Sequence, residues 1–456
     1  MNFLFICPTA PCWRVEKGRT ASRRTQIFRF SQLTALSVTA ALPPHVKARI
    51  MDEEVEPIDY DADCDLVGIT FMTYNAPRAY EIADRFRKER GKTVIFGGFH
   101  PTFMPEEAGR HCDAVCAGEA ETSLPRMIAD FEAGRLQPIY RSEPAELKGL
   151  RIPDRSLLKR SAYVMPDAVQ ATRGCPNHCR FCSIAPFFRH THRTRPVPEV
   201  IAELKTLGRF VLFMDDHIIG NPDYARELFA AMIPLRKTWF SQCGVRIAYD
   251  PELLRLAVAS GCRGLFVGLE SINEATLRSW GKGFNRAREF EWAIGRIHGA
   301  GIAVVGAVVF GADPDSPDIF RRTLDFITAA HIDALQATIM TPFPGTPLYD
   351  DLDRQGRIFD RDWSHYDFGH VVFEPANMSR ATLRHGHDWV LAQFYSQRSI
   401  WRRIAHSVGY LPPAMVLRGM VPLNLTYRYR LAANRAIRGV PDFEPSRAAI
   451  LARPAG

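Results

Sequence analysis

The stretch Arg173-Gly-Cys-Pro-Asn-His-Cys-Arg-Phe-Cys-Ser183 contains three cysteines within eight residues. Thiolate is the usual protein ligand of iron–sulfur clusters. Cys175, Cys179 and Cys182 can together hold three irons of a [4Fe–4S] cube and leave the fourth iron without a protein ligand. An open coordination position is typical of a metal that takes part in chemistry. The spacing therefore predicts a reactive cluster rather than a structural one.

Two other interpretations of these cysteines are open. Three Cys and one His form a legitimate structural zinc site, and His190 or His192 could be the fourth ligand. Zinc knuckles usually pair Cys-x2-Cys units, however, whereas the spacing here is x3 and then x2. Buried or disulfide-bonded cysteines are the third interpretation. Gly174 and Pro176 beside the first thiol favour instead a loop that wraps a ligand.

The composition is that of an ordinary globular protein. A chain of 456 residues with 46% hydrophobic and 24% charged residues should hold two or three domains. The opening run Met1-Asn-Phe-Leu-Phe-Ile-Cys7 lacks a basic flank and ends at Pro8, so it predicts a first strand rather than a secretory signal. No apolar run in the sequence is long enough to span a bilayer. We expect a cytoplasmic protein with reduced thiols.

Residues 1–145 alternate short apolar runs with helical stretches. Strands are predicted at residues 3–6, 48–51, 66–71, 94–96 and 114–116. Continuous apolar runs are typical of a parallel sheet buried on both faces, and the alternation predicts a doubly wound, Rossmann-like domain. Such sheets bind ligands at the carboxyl ends of their strands. The candidate binding residues follow the predicted strands: Thr70, Gly97, Gly98, His100, Gly118 and Glu119.

The cysteine motif, with Phe181 before the last cysteine, resembles the signature of the radical SAM superfamily. In that family the open iron chelates S-adenosylmethionine, and an electron from the cluster cleaves the sulfonium to give a 5′-deoxyadenosyl radical. The series Gly97-Gly-Phe-His-Pro-Thr102, Pro105-Glu-Glu and Gly118-Glu-Ala-Glu121 resembles the cobalamin-binding domain that precedes many radical SAM domains. The resemblance implies that the candidates above contact cobalamin. The Asp-x-His-x-x-Gly motif that supplies a histidine to cobalt is absent, so we expect binding without that ligand.

Residues 160–375 form a second β-α series, with strands predicted at 168–172, 211–214, 240–247, 264–269, 304–310 and 334–341. Six units fit the partial (β/α)6 barrel of the radical SAM family. Chemistry in such barrels lies at the carboxyl ends of the strands. An Asp pair there could equally cap a helix or bind a divalent metal. The resemblance implies S-adenosylmethionine contacts from six residues: Asp215, Asp216, Gln242, Glu270, Gly306 and Gly311.

The other cysteines outside the motif carry weaker signals. Cys112 and Cys116 repeat its first spacing, but they lie at a predicted strand without a third thiol. We predict that they are buried reduced thiols. Cys243 either faces the substrate or fills the core, as small apolar cysteines commonly do.

Residues 376–456 are predicted to be a basic, mainly helical C-terminal region. From residue 381 onward the chain has 11 Arg, no Lys and three acidic residues, which accounts for the net charge of +8. Pro412, Pro413 and Pro422 argue against one long helix. The region could be a helical cap with solvated arginines, or it could contact an anionic membrane surface or nucleic acid. Its apolar content favours a membrane over nucleic acid.

The resemblance implies an enzyme with three cofactors: a [4Fe–4S] cluster, S-adenosylmethionine and cobalamin. It favours methylation of an unactivated carbon of a small molecule, such as a lipid or pigment. One alternative is a radical SAM oxidoreductase or cyclase with an empty cobalamin domain, and another is a metal-bearing nucleic-acid-binding protein. We expect an electron donor such as flavodoxin or ferredoxin, no nucleic-acid partner, and a location in the cytoplasm or at the inner face of the membrane. The sequence indicates no catalytic side chain and no particular substrate.

Overall fold

A parallel sheet forms the N-terminal part of the computed structural model, which describes residues 1–15 and 29–437. The sheet consists of β1 (Asn2–Cys7), β2 (Lys47–Asp52), β3 (Leu66–Thr70), β4 (Thr93–Gly97), β5 (Ala114–Ala117) and β6 (Ile139–Arg141). All six strands are parallel, in the order β2-β1-β3-β4-β5-β6. The order reverses at β1, and doubly wound sheets bind ligands in the crevice beside such a reversal.

Helices accompany this sheet: α1 (Leu33–Ala40), α2 (Ala76–Arg90), α3 (Phe99–Phe103), α4 (Pro105–Ala108) and α5 (Ala120–Glu132). Helix α2 shows how the sequence sets these elements. Its apolar residues Ala79, Ile82 and Phe86 recur at helical spacing and are fully buried. Gly91 then adopts a left-handed conformation with φ 61° and ends the helix.

A second parallel sheet follows, in the order β7-β10-β11-β12-β13-β14, beside a separate antiparallel pair, β8 and β9. The strands are β7 (Ala168–Val169), β8 (Thr172–Gly174), β9 (His192–Thr194), β10 (Phe210–Phe213), β11 (Thr238–Cys243), β12 (Cys262–Glu270), β13 (Ala303–Phe310) and β14 (Ala334–Ile339). The helices are α6 (Ile184–Phe187), α7 (Val197–Thr206), α8 (Pro222–Met232), α9 (Pro251–Ala259), α10 (Glu274–Ser279), α11 (Phe290–Gly299), α12 (Ile319–Ala329) and α13 (Pro347–Arg354). This open β/α arrangement and the doubly wound sheet confirm the predicted α/β fold class.

The two faces of the second sheet differ in packing. On β13, Val304, Val308 and Phe310 are fully buried in the largest hydrophobic core of the described chain. Their alternating neighbours Val305 and Val309 are only partly buried. Because successive strand residues point to opposite faces, the partly buried residues mark the concave inner face. The barrel is therefore open on its inside, which leaves space for ligands.

The C-terminal region is helical as far as the structure describes it, with α14 (Arg380–Phe394), α15 (Gln397–Ser407), α16 (Pro413–Met415) and α17 (Val421–Ile437). A π-helical turn, Val416–Met420, connects α16 to α17 without a gap. Pro412 caps α16, Pro413 starts it, and Pro422 lies in the first turn of α17, so the three prolines stand at element boundaries and not inside one long helix. None of the helices within residues 1–15 and 29–437 combines the length and the apolar character needed to cross a membrane. The predicted basic residues beyond 437 lie outside the described residues.

One strand prediction is wrong in part. The predicted strand 240–247 ends at Cys243, and a 3-10 turn, Val245–Tyr249, follows it. Cys243 is 3% exposed and belongs to the hydrophobic core on the helix-facing side of the sheet. Its thiol therefore faces the core rather than the open interior of the barrel.

Candidate active site

The three cysteines lie on the loop that connects β8 to α6. Gly174, the last residue of β8, has φ 80°, and a Cβ there would lie 2.1 Å from the Thr191 carbonyl oxygen. Only glycine allows the returning chain to approach so closely. Within the loop, the Cys182 amide donates a hydrogen bond of 3.1 Å to the Cys179 carbonyl. The backbone thus holds these two thiols on one compact turn.

Two barrel segments brace the cysteine loop from outside. The Arg180 amide donates to the Trp280 carbonyl at 3.0 Å, and the Leu348 amide donates to the Arg180 carbonyl at 3.0 Å. The rings of Phe181 and Trp280 lie 5.1 Å apart between centroids. Trp280 could not be predicted from the motif, because it lies almost a hundred residues after it. The aromatic at position 181 therefore anchors the loop to the barrel.

The chemistry of the thiols fits a cationic cluster. Burial raises the pKa of Cys182 to about 12 and the pKa of Cys179 to about 11. Thiolates at these positions need a compensating positive charge, and bound metal deprotonates a coordinating thiol. In the described residues no three Cys, His, Asp or Glu side chains converge closely enough to hold one metal ion. An iron–sulfur cube requires only one thiolate per iron, and the donor set supplies three.

Asp215 and Asp216 follow β10, and their side chains point in different directions. The Asp215 carboxylate is 2% exposed and accepts hydrogen bonds from the Ala171 amide at 3.2 Å and from the Thr172 hydroxyl at 2.7 Å. Burial raises its pKa to about 7. Asp216 accepts from the Gly174 amide at 3.1 Å, and burial raises its pKa to about 6. Asp215 thus supports the backbone before the cysteine loop, whereas Asp216 lines a cavity.

Gln242 and Glu270 lie on the inner side of the barrel at the ends of β11 and β12. The Gln242 side-chain amide donates to the Asp216 carbonyl at 3.1 Å. Glu270 has φ 67°, which is unusual for a residue with a side chain, and its carboxylate pairs with the buried Lys282. The Lys282 ammonium also donates to the Gly268 carbonyl at 3.2 Å. Lys282, which no sequence motif indicated, adds a positive charge beside the cysteine loop.

Gly306 and Gly311 face packed apolar side chains. A Cβ at Gly306 would lie 3.2 Å from Ile332, on the helix-facing side of β13. A Cβ at Gly311 would lie 2.8 Å from Leu383 and 3.2 Å from Phe373. These two glycines therefore allow close packing of the barrel wall, and the structure shows neither of them facing the open interior.

A cavity of about 490 Å³ lies between the carboxyl edge of the N-terminal sheet and the cysteine loop. Five of the six residues predicted to contact cobalamin line it: Thr70, Gly97, Gly98, Gly118 and Glu119. Residues on the barrel side complete the wall, including Arg173, Phe187, Met214 and Asp216. The cavity therefore extends from the predicted cobalamin site to Asp216, one of the residues predicted to contact S-adenosylmethionine.

His100 is the predicted residue that does not line this cavity. Its side chain is fully buried, and its Nε2 lies 3.0 Å from the Tyr80 hydroxyl. The Trp363 indole packs edge-on against the His100 ring and donates to Glu107 at 2.7 Å. His100 therefore lies in a polar cluster between the N-terminal domain and the barrel.

The cavity has the features that an amide-rich ring such as cobalamin requires. Gly98 has φ 100°, and a Cβ there would lie 2.8 Å from the Thr70 hydroxyl, so the chain presents bare backbone. The Ser31 hydroxyl and the side-chain Oδ1 of Asn75 are buried and have no hydrogen-bond partner among the described residues. Both residues line the cavity. Buried polar atoms normally have partners, and amide groups of a ligand would supply them.

Four charged side chains, of which Arg173 and Glu119 are buried, connect the N-terminal domain to the cysteine hairpin. Arg173 donates to Glu119 at 2.7 Å and to Glu121 at 2.5 Å, and Arg193 pairs with Glu119 at 2.5 Å. Arg173 is 9% exposed and Glu119 is 5% exposed. The carboxylate predicted to contact cobalamin is thus held by two guanidinium groups. These ion pairs fix the distance between the cavity wall and the cysteine loop.

A doubly wound parallel sheet, an open β/α barrel and a three-thiol loop at their junction define an enzyme with two adjoining cofactor sites. Residues 169–327 match the Radical SAM superfamily, and residues 38–128 match the B12 binding domain. The chain belongs to the cobalamin-binding radical SAM methyltransferase family. Its cofactors are a [4Fe–4S] cluster, S-adenosylmethionine and cobalamin.

Two curated relatives come from Chlorobaculum tepidum. Bacteriochlorophyllide d C-12(1)-methyltransferase is 33% identical over 354 residues, 75% of this chain and 76% of the relative. Bacteriochlorophyllide d C-8(2)-methyltransferase is 31% identical over 401 residues, 83% of this chain and 88% of the relative. The solved structure of TsrM from Kitasatospora setae with cobalamin and a [4Fe–4S] cluster is similar in fold. Its TM-score is 0.66 at 15% identity, covering 91% of this chain and 89% of TsrM.

Proposed function

We propose that this enzyme transfers a methyl group to an unactivated carbon of a chlorin-type pigment. The observation that carries the proposal is the similarity to two bacteriochlorophyllide methyltransferases over three quarters or more of the chain. That similarity spans both the cobalamin and the radical SAM regions. The inner barrel face supports it, because the partly buried side chains of Phe240, Phe266 and Val305 offer an apolar surface to a flat ring.

Each part of the site has a proposed role. Cys175, Cys179 and Cys182 hold the cluster, and Asp216, Gln242 and Glu270 accept hydrogen bonds from S-adenosylmethionine. Thr70, Gly97, Gly98 and Gly118 form the floor on which cobalamin rests. When bound, the cluster supplies an electron for cleavage of S-adenosylmethionine, and cobalamin supplies the methyl group. The chain itself positions these groups beside the cavity between the N-terminal sheet and the cysteine loop.

Labelled S-adenosylmethionine tests this function. The reconstituted enzyme is incubated anaerobically with methyl-labelled S-adenosylmethionine and bacteriochlorophyllide d, and flavodoxin or ferredoxin serves as the proposed electron donor. We expect 5′-deoxyadenosine and a labelled pigment. A hopanoid lipid supplied in parallel is expected to remain unlabelled. Formation of 5′-deoxyadenosine without methyl label in the pigment would contradict methyl transfer and favour an oxidoreductase or cyclase.

We propose in addition that the C-terminal helices contact an anionic membrane surface. Trp401, Val408 and Leu417 are 54%, 60% and 69% exposed, and Arg402 and Arg418 lie beside them. No acidic residue occurs between residues 389 and 441. Exposed apolar side chains with arginines and without carboxylates are typical of a surface that binds anionic lipid.

Vesicle sedimentation tests the membrane contact. Vesicles that contain anionic lipid should bind the protein, whereas neutral vesicles should bind it more weakly. Replacing Arg402 and Arg418 together by Gln should weaken binding by about 2 kcal/mol, because each arginine near such a surface contributes about 1 kcal/mol. The same replacement at Arg126 and Arg354, which are exposed elsewhere, is the matched control. Equal losses in both pairs would contradict this contact surface.

A further inference from the structure

Two histidines near the carboxyl end of β14 are held in the same way. Nδ1 of His365 lies 2.7 Å from the Asp360 carboxylate, and Nδ1 of His370 lies 2.9 Å from the Asp367 carboxylate. The two imidazole rings stack with their centroids 4.7 Å apart. Nε2 of neither histidine has a hydrogen-bond partner in the described part of the chain. The histidine side chains remain 39% and 31% exposed.

This arrangement prepares an imidazole for binding a metal. A carboxylate at Nδ1 keeps the ring proton there, orients the ring and leaves the lone pair of Nε2 available. Two imidazoles alone are a poor site for a free ion, since protein sites for single metals use three or more ligands. A metal already held by four ring nitrogens needs only one axial ligand. Magnesium in a chlorin is in this state.

The histidine segment lies where the two domains meet. The 3-10 turn Trp363–His365 packs against α2 and against the turn Thr73–Asn75 of the N-terminal domain. The Phe368 carbonyl accepts a hydrogen bond of 2.8 Å from the Ile339 amide at the end of β14. Tyr74 lines the large cavity. Burial, with the nearby carboxylates of Glu54 and Asp367, raises the pKa of Tyr74.

The turn that contains His365, and with it the stacked ring of His370, therefore lies near Tyr74 at the cavity wall, on the side of the barrel opening. Phe368, between these residues, is 38% exposed and contacts Phe343 with ring centroids 5.0 Å apart. An aromatic surface and an available imidazole thus lie together beside the turn that reaches the cavity wall, although neither Phe368 nor His370 lines the cavity itself. A flat ring that carries a central metal matches both.

We propose that Nε2 of His370 is the axial ligand to the central magnesium of the pigment substrate, with Asp367 as the positioning residue behind it. The proposal rests on the chlorin substrate class proposed above and deepens it. Coordination of the magnesium from one face of the pigment fixes how deeply the ring enters the site and the angle at which it lies. A defined substrate carbon then faces the cofactors, which is what positional methylation of a large ring requires.

Pigment titration tests this ligand without turnover. The reconstituted protein is titrated with chlorophyllide, which contains magnesium, and with pheophorbide, its metal-free counterpart, and binding is followed by absorbance and fluorescence. His370→Ala should weaken chlorophyllide binding by about 10-fold or more and leave pheophorbide binding unchanged, since ligand-shell changes alter metal affinity by about 10-fold to 100-fold. Free imidazole should restore chlorophyllide binding to this variant. Asp367→Asn should weaken chlorophyllide binding by about 10-fold.

The control is His45→Ala, which removes another carboxylate-paired histidine, bonded to Glu132 and far along the chain. It should bind both pigments as the unaltered protein does. Equal binding of chlorophyllide by His370→Ala and the unaltered protein would overturn the axial ligand while leaving the substrate class intact. Failure of the unaltered protein to bind either pigment would overturn both. Production of 5′-deoxyadenosine by the same preparation shows that the enzyme itself is intact.

Discussion

Cys179→Ala is expected to reduce cleavage of S-adenosylmethionine to below detection. The three thiols of the loop are the proposed ligands of the cluster. With only two of them left in the variant, a second iron would lack a protein ligand. Cys179 is 8% exposed, and burial raises the pKa of its thiol to about 11. Iron and sulfide content and 5′-deoxyadenosine production after anaerobic reconstitution measure the effect.

Cys243→Ala is the matched control for that experiment. Cys243 is also buried, but it lies in the hydrophobic core on the helix-facing side of β11. This variant should keep full iron content and cleavage activity, with a modest loss of stability from the small cavity that remains. Undiminished 5′-deoxyadenosine production by Cys179→Ala would contradict the cluster assignment. Loss of iron in both variants would indicate a general folding defect.

The strands were largely predictable because both sheets are parallel and covered by helices on one or both faces. Such strands are continuous apolar runs, and nearly all of them could be placed from the sequence. The exceptions are short. β6 has three residues, and the antiparallel pair of β8 and β9 has three residues in each strand, too few for a periodic signal.

The direction in which a site residue's side chain points was harder to predict than the position of that residue at a strand end. β13 reads Ala-Val-Val-Gly-Ala-Val-Val-Phe, which is apolar on both faces, so the sequence does not tell which alternate residues face the interior. Gly306 was expected beside S-adenosylmethionine and instead packs against Ile332. Asp215 and Asp216 are adjacent in the loop after β10, and only Asp216 lines the cavity, because hydrogen bonds hold Asp215 on the chain before the cysteine loop.

Long-range contacts account for the remaining differences. His100 was expected at the cobalamin site because it follows two glycines at a strand end. Trp363, which contacts it, lies more than 250 positions later, and no local pattern relates the two. Lys282 follows α10, and the chain there returns to the end of β12, where Lys282 pairs with Glu270. Such contacts depend on the packing of whole elements, which local periodicity does not encode.

Arg173→Met is expected to lower the free energy of unfolding by about 3 kcal/mol, because its loss takes the ion pair away from Glu121 and leaves the buried Glu119 with Arg193 alone. Arg173 pairs with both Glu119 and Glu121, and it lies two residues before the first cluster cysteine. Methionine keeps the apolar stem and removes only the charge and hydrogen bonds. Arg189→Met is the matched control, since Arg189 pairs with Glu143 across the same two segments but is 46% exposed. An exposed pair contributes about 1 kcal/mol or less.

The same substitution should separate two activities that the domain junction couples. The cysteine loop remains braced by Trp280 and Leu348, so Arg173→Met should still cleave S-adenosylmethionine. Methyl transfer requires in addition that the cavity wall at Glu119 keep its distance from that loop. We therefore expect Arg173→Met to form more 5′-deoxyadenosine per molecule of methylated product than the unaltered enzyme. Arg189→Met should keep the ratio of the unaltered enzyme. A ratio equal to that of the unaltered enzyme, together with lowered stability, would mean that the ion pairs hold the domains together without setting the geometry of transfer.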